Sequence, residues 1–542
     1  MTYRARHVRA VPPVSSQVRC RKFRVGRAGL VRRADHEAAA KQAHEASADL
    51  TEERGNGPQS GTATDSRLSR LDRVGTPLLV IGAIAWVLAF ERFVMRVADP
   101  SYAHRMFDLG MFRDGGLIIR HAYHVHSGQP AALYDLVVRH GANPFSYPPF
   151  AAAIFAVMSF VSPLALEWGI TVLSVGALTY AVWLTLAGMG VPRGRARTGA
   201  MLAASAAALW TQPVQSNLSL GQINLLLMAA IIWDLRPSRA ELDGIRLGAD
   251  GPIVGSAFST VASPWWTGLA TGVAAGIKLT PLIFIPYLLI TRRFRQAGVA
   301  AAAFAVTVGI GFAVVPGASA TYWRSGLLDR ATGAQSANTE FFFGSTWNQS
   351  LRGYLSRLLQ DSQIAVAPWL IAAALTLVIG LVCATWLYRD GYPMLGLLTC
   401  AVTGLLISPV SWVHQWVWIG PWLAALGGLA LLARGASRRM WLAVTGLLIL
   451  AFGNFPVTAG LTGGRHGMNV ITDVPMNQPA IWHGHQVIAG NIYFLCGAAG
   501  LIALFGWGIV RAFRQAPAAL IAQPLQLPAN VELVPEAMTL RE

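Results

Sequence analysis

Charge is scarce in this chain, and acid is scarcer still. Only 13% of its 542 residues are charged, where a soluble protein carries roughly a quarter. Asp and Glu number 26 against 43 Lys and Arg, a formal net charge of +17. Lysine is nearly missing: between Lys41 and the C-terminus the single one is Lys278. The four cysteines, Cys20 in the tail and Cys383, Cys400 and Cys496 inside apolar runs, make neither a disulfide framework nor a metal-ligand spacing. No glycine-rich dinucleotide fingerprint follows a strand, no P-loop occurs, and no polar stretch is long enough for a soluble nucleotide-binding domain. No apolar core precedes Pro77, so no secretory signal is read near the start. Metal is not expected either. His121 and His124 would share a helical face but His126 would not, and His483 and His485 are as weak a pair.

What is abundant is apolar residue, 54% of the chain, in many separate runs of about 14 to 27 residues. That pattern predicts an all-α, polytopic integral membrane protein with about twelve transmembrane helices. Short arginine-rich loops explain the basic charge through the positive-inside rule, and nucleic acid is not an expected partner; membrane lipids are. Residues 1–75, basic and then Ala/Glu/Ser-rich, read as a disordered cytoplasmic tail, or in part as sequence upstream of the true start. Residues 76–513 read as the membrane domain and 514–542 as a second cytoplasmic tail. Arg67, Arg70 and Arg73 before the first span, with Arg292–Arg295, Arg389, Arg434, Arg438, Arg439, Arg511 and Arg514 at later inner ends, predict both termini in the cytoplasm. The loops 96–146, 214–222, 316–365 and 454–486 then fall outside. Three interruptions of apolar runs, at Gln212-Pro213, Lys278–Pro281 and Ser408–His414, face the same side. Chemistry is expected there, at the extracytoplasmic surface of a plasma membrane, because broken backbone and polar side chains survive in a bilayer only around a cavity or site.

Several residues qualify for that chemistry. Asp108, just after the first span, suits a general base acting on a sugar hydroxyl; it equally suits the N-cap of a helix starting near Asp114. Tyr147 lies in the stiff strip Asn143–Phe150, either a turn or a wall for a lipid-linked ligand. Gln222 and Asn224, in Gly221-Gln222-Ile223-Asn224, either bond neighbouring helices or bind substrate hydroxyls. Lys278 is an intramembrane cation whose natural partner is a phosphate, unless it snorkels to the interface. His414 shares that polar face, and Asn348, Gln349 and Arg352 could reach sugar or phosphate.

The strings Phe107-Asp108-Leu109, Phe145–Phe150, Trp210–Pro213, Gly221–Asn224, Gly276–Pro281, Asn348–Ser350 and Ser408–Trp416, in this order, resemble glycosyltransferase family 87 over roughly residues 76–510. These are transferases of the GT-C class that use polyprenyl-phosphate sugars. The resemblance implies a GT-C-like fold with an extracytoplasmic active-site cavity and an inverting α-1,2-mannosyltransferase. The implied donor is polyprenyl-phosphate-mannose, the acceptor a glycolipid or lipoglycan mannoside, and no cofactor is needed. Asp108 would be the base. Lys278, His414 and Arg352 would hold the donor phosphate, and Tyr147, Gln222, Asn224 and Asn348 the substrates. Two departures stand out: Gln415 follows His414 where the family has a second histidine, and Gln212 replaces a glutamate seen in relatives. Transfer of arabinose from a polyprenyl phosphate, transport of a lipid-linked sugar, and a non-catalytic scaffold are the alternatives.

Overall fold

The computed structural model describes residues 61–94, 106–120, 133–134, 145–237, 245–248, 251–254, 263–324, 343–361, 365–453 and 485–521. The histidines at 121, 124, 126 and 483, the tail to residue 60 and residues 522–542 lie outside the described residues. The chain divides into two units, Met1–Ser66 and Arg67–Glu542. Of the first, only 61–66 are described, as the start of a helix, and all that follows concerns the second.

The helices are α1 (Gly61–Val94), α2 (Phe107–Ile119), α3 (Pro149–Met158), α4 (Pro163–Gly188), α5 (Arg195–Leu209), α6 (Gln212–Leu220) and α7 (Asn224–Leu235). A two-stranded antiparallel hairpin, β1 (Ile245–Gly248) and β2 (Gly251–Val254), precedes α8 (Leu269–Ile277), α9 (Phe284–Ile290), α10 (Phe294–Val314) and α11 (Pro316–Arg324). Then come α12 (Leu351–Leu359), α13 (Val366–Arg389), α14 (Pro393–Ile407), α15 (Ile419–Leu432), α16 (Gly435–Phe452), α17 (His485–Ala489) and α18 (Ile492–Ile521). Helix is thus the rule among the described residues, with that hairpin as the exception. Two boundaries differ from those read in the sequence. Residues 61–75, read as tail, are continuous with the first apolar helix, and α18 runs past 513 to Ile521.

Seven described helices are long and apolar enough to cross a membrane, and eight if α6 and α7 count together as one broken span. Their surfaces show where they belong. In α16 only 6% of the apolar window is buried, and in α1 17%, so most of these side chains have no protein neighbour. In water such faces would be a large unpaid exposure; in lipid they are solvated. The molecule is a membrane protein. The interior is built from the middle of the bundle, where Leu178, Leu209, Leu225, Ile232, Phe284, Leu398 and Val417 from six segments share one buried cluster.

The helix ends follow local chemistry. Ser162 and Ser350 cap α4 and α12 by accepting from Ala165 N and Gly353 N, and proline stands at the first helical position of α3, α4 and α14. The three expected interruptions are present, and one further turn adds to them. α5 ends at Leu209 and α6 begins at Gln212 with Pro213 in its first turn, and the chain then bends 116° between α6 and α7. After α8 ends at Ile277, Lys278 is extended (φ −147°, ψ 128°) and Thr280–Ile283 form a 3₁₀ turn before α9. After α14 ends at Ile407, a 3₁₀ segment, Val413–Trp418, leads into α15.

Candidate active site

The site is assembled where those three breaks meet α2. Asp108 is in the first turn of α2, which begins at Phe107, so the carboxylate does not cap a later helix. Asp114 lies six residues on, about 240° around the helix, and faces elsewhere. Gly221 terminates α6 in the left-handed region (φ 69°), and a Cβ there would lie 2.5 Å from the Leu109 Cβ. Only glycine allows both the turn and this approach to α2. The next residue, Gln222, is thereby delivered to Asp108. Asn217 steadies the turn by donating to the Gln222 carbonyl oxygen (2.7 Å).

A continuous line of hydrogen bonds follows. Lys278 Nζ donates to Asn224 Oδ1 (2.8 Å), and Asn224 Nδ2 donates both to the His414 carbonyl oxygen (3.1 Å) and to Gln222 Oε1 (3.4 Å). Gln222 Oε1 also accepts from Tyr147 Oη (2.9 Å), while Gln222 Nε2 donates to Asp108 Oδ2 (2.7 Å). Lys278 sits 5.6 Å from the centroid of the Tyr147 ring, close enough for a cation–π contribution. Tyr147 in turn is held from behind, its carbonyl accepting from Tyr134 Oη (2.8 Å), with its ring in an edge contact with Phe112 of α2. Asn224 and Gln222 are buried and Asp108 is half-buried.

Burial pushes the Asp108 carboxyl above its ordinary range, opposed first by the hydrogen bond from Gln222 and then by the Lys278 charge. Tyr147 is pushed up by burial and by the nearby Asp108 carboxylate, so its hydroxyl stays protonated and donates. The arrangement has the parts of a displacement reaction at a sugar carbon: a carboxylate of raised proton affinity on one side, a half-buried cation on the other, and fixed amides between them.

A cavity of about 50 Å³ opens beside Lys278. Asn224, Lys278, Thr280 and Gln415 make its polar end, and Leu227, Met228 and Ile231 of α7 with Ile283, Phe284 and Leu405 make its apolar length. Gln415 was noted in the sequence only as a departure from a histidine pair, and that departure was the available signal. Its Oε1 is buried and has no hydrogen-bond partner. The same holds for Nδ1 of His414, whose backbone rather than imidazole makes the contact to Asn224.

Two residues expected to touch sugar or phosphate are placed otherwise. Asn348 is fully buried with its amide engaged by backbone: Nδ2 donates to Pro409 O (3.2 Å), and Oδ1 accepts from Ser411 N (2.9 Å) and Ser350 N (3.3 Å). It fastens the 345–350 turn to the strand-like segment that carries His414, with a backbone bridge to Trp412. Arg352 is also fully buried, its guanidinium 3.3 Å from the centroid of the Phe343 ring and 5.3 Å from that of Trp369. The short helix capped by Ser350 turns this side chain inward, into an aromatic cage, where the sequence reading had it facing a ligand. Gln212, at the other departure from the family pattern, accepts from Tyr493 Oη (2.6 Å).

No group of three or more His, Cys, Asp or Glu that could hold a metal ion occurs among the described residues. No solved structure matches the chain. The profile described as glycosyltransferase family 87 matches residues 145–409, a stretch containing Tyr147, Gln222, Asn224, Lys278, Asn348 and Arg352, with His414 and Asp108 beyond its two ends. A polyprenol-phosphate-mannose-dependent alpha-(1-2)-phosphatidylinositol pentamannoside mannosyltransferase of Mycobacterium tuberculosis is 35% identical over 375 residues, 67% of this chain and 74% of that protein. A protein of the same description from Mycolicibacterium smegmatis is 33% identical over 394 residues, 70% of this chain and 82% of its own length. A polyprenol-phosphate-mannose-dependent alpha-(1-2)-phosphatidylinositol mannoside mannosyltransferase of M. tuberculosis is 32% identical over 319 residues, 57% of this chain and 67% of its own. With broken membrane helices converging on one carboxylate and one half-buried cation, and with relatives matched over most of their length, the chain belongs to glycosyltransferase family 87.

Proposed function

We propose that this protein transfers mannose from polyprenyl-phosphate-mannose to a phosphatidylinositol mannoside, forming an α-1,2 linkage with inversion, at a cavity on the extracytoplasmic side of the membrane. The observation that carries the reading is the hydrogen-bonded line from Lys278 through Asn224 and Gln222 to Asp108, in a chain whose relatives bear that activity in their names. All three relatives are named for mannose, which favours that donor over arabinose and a transferase over a transporter. A lipoglycan acceptor is a finer variant of the same chemistry.

Asp108 takes the proton from the acceptor hydroxyl as its oxygen attacks the anomeric carbon of the mannose. The carbon–oxygen bond to phosphate breaks on the opposite face, and polyprenyl phosphate leaves with the bonding pair. A phosphate monoester is a good leaving group and needs its charge stabilised more than it needs a proton. Lys278 supplies that charge, with Gln415 and Thr280 lining the same cavity and the His414 imidazole, whose Nδ1 has no hydrogen-bond partner among the described residues, as a further group for the phosphate. The apolar length of the cavity along Leu227, Met228 and Ile231 suits the first isoprene unit of the donor. Tyr147, Gln222 and Asn224 hold Asp108 and Lys278 in this frame; Asn348 and Arg352 support it through the fold of the 343–350 turn. About twelve passes are expected; seven described helices are long and apolar enough to cross, eight with the broken pair, and shorter apolar ones such as 280–290 and 393–407 stand beside them. Both termini would be cytoplasmic.

The test is direct. Membranes containing the protein should convert radiolabelled polyprenyl-phosphate-mannose and a phosphatidylinositol mannoside into a lipid with one further mannose. Asp108→Asn should be inserted normally and lose transfer by about three orders of magnitude. No product from the wild type with either mannoside, or near-normal transfer by the variant, would refute the reading.

A further inference from the structure

The sequence suggested Gln222 and Asn224 as groups for substrate hydroxyls; their bonding gives them another task. Lys278 can only donate, so the atom of Asn224 that meets it at 2.8 Å must be the amide oxygen. The His414 carbonyl can only accept, so the atom that meets it at 3.1 Å must be the amide nitrogen. That nitrogen also faces Gln222, which must therefore present its oxygen, and the Tyr147 hydroxyl, able to donate or accept, then donates to that oxygen at 2.9 Å. One orientation of Gln222 is left, with its nitrogen on Asp108 Oδ2 at 2.7 Å. Every group along the line is polarised the same way, from cation to carboxylate, and neither amide can flip without placing two donors or two acceptors face to face.

We infer that Gln222 is a positioning residue whose amide, locked by Tyr147 and Asn224, occupies Oδ2 of Asp108 and leaves Oδ1 as the oxygen that accepts the proton of the acceptor hydroxyl. No other donor reaches the carboxylate among the described residues. The inference rests on the proposed role of Asp108 as base and specifies how that base is aimed. Oδ2 is occupied by Gln222, so Oδ1 is the oxygen left open to the acceptor, and rotating the carboxylate would break that bond.

The groups that face Asp108 are few. Lys278 and Tyr147 act on it electrostatically; α2 itself carries Arg113 and Asp114; α3 and α6, packed against α2, carry no titratable side chain; His414 lies beyond Asn224. Replacing the amide by a carboxylate should therefore be read by one group above all. In Gln222→Glu, Tyr147 and Asn224 can still donate to one oxygen, but the other must share a proton with Asp108. The acidic limb of kcat/KM is expected to rise by about one pH unit or more, with kcat at neutral pH down about ten- to a hundredfold. In Gln222→Met, of similar size and without hydrogen bonding, kcat should fall about tenfold, the limb should also rise, and the acceptor KM should stay within about twofold.

The overturning results are specific. An acid limb of Gln222→Glu superimposable on that of the wild type would reject the positioning role, whether or not less protein is recovered. So would an acceptor KM raised in Gln222→Met at unchanged kcat, which would mean that Gln222 touches the acceptor itself. Asp108→Asn, assayed in parallel, separates the two levels. If it still transfers mannose, the base assignment falls; if it is inactive while the Gln222 variants keep the wild-type limb, only this inference falls.

Discussion

A carboxylate that must take a proton from a sugar hydroxyl works best when its own proton affinity is raised towards the working pH, and the surroundings of Asp108 act in that sense. Burial raises it, and the Gln222 amide and then the Lys278 cation oppose that rise. A base is active only when deprotonated, so transfer should fail as pH drops through this raised value, and the acid limb of kcat/KM should lie above the ordinary carboxylate range of about 4. Lys278→Met removes the cation that favours the charged form. It should move the limb further up and raise the KM for polyprenyl-phosphate-mannose by about tenfold or more; an unchanged limb and donor KM would remove Lys278 from the site. Lys278 was legible in the sequence because no other lysine follows Lys41, and Asp108 through the family resemblance of Phe107-Asp108-Leu109, since its position alone left an N-cap reading open. Gln222, Asn224 and Tyr147 were legible as polar residues at breaks, but their role was not. A sequence shows which groups can donate and accept, whereas the direction of a hydrogen bond depends on neighbours 54 to 190 positions away.

Between single residues and the whole bundle stand the interrupted helices, and they make the site what it is. Proline and glycine announced the breaks, since neither Pro213 nor Pro281 nor Pro409 can sit within an unbroken helix without losing a backbone bond. Gly221 was less obvious. Its positive φ and its contact with α2 are both required for Gln222 to reach Asp108, so Gly221→Ala should cost about 1–3 kcal/mol from backbone strain and lose most transfer. Melting of the detergent-solubilised protein together with a transfer assay would check this; an active variant of wild-type stability would show that α2 yields to the extra methyl. A second element-level device lies at the opposite end of α7. Asp234, buried, accepts from Gly268 N (2.9 Å), Thr271 N (2.9 Å) and Thr271 Oγ1 (2.7 Å), so a carboxylate on one helix caps the start of α8 on its neighbour. Asp234→Ala would leave three buried donors unpaired and should destabilise by about 2 kcal/mol or more, while the kcat of the remaining folded protein stays near wild type. Asp234 escaped the sequence reading because a lone acid at a basic loop resembles an interfacial residue; its partners are 34 and 37 positions ahead.

At the scale of the molecule, apolar length and arginine position carried the membrane assignment, and the exposed surfaces of α1, α16 and α18 agree with it. The places where the sequence reading strayed share a cause. It cut the first helix at residue 76 because hydropathy changes there, yet the helix runs from Gly61 to Val94 with Pro77 inside it. It aimed Arg352 and Asn348 at a ligand because both are polar and lie by a short helix; α12 turns Arg352 inward, and the backbone of 409–411 holds Asn348. Hydropathy reports the solvent a segment prefers, and says little about which side chain of a polar segment faces the ligand. Orientation is where the two kinds of inference meet. Arg292, Arg293, Arg295, Arg434, Arg438 and Arg439 flank α9, α10, α15 and α16 at ends removed from the Asp108–Lys278 line, and basic ends stay in the cytoplasm. The site would then open to the outside, the side on which the proposed polyprenyl-linked donor would be presented. A reporter that is active only outside the cytoplasm, such as alkaline phosphatase, should be silent when fused after residue 542 and active when inserted at Asp361, between α12 and α13. The reverse pattern would turn the site towards the cytoplasm and require a donor presented on the inner leaflet, leaving the hydrogen-bonded line intact but its proposed substrate side wrong.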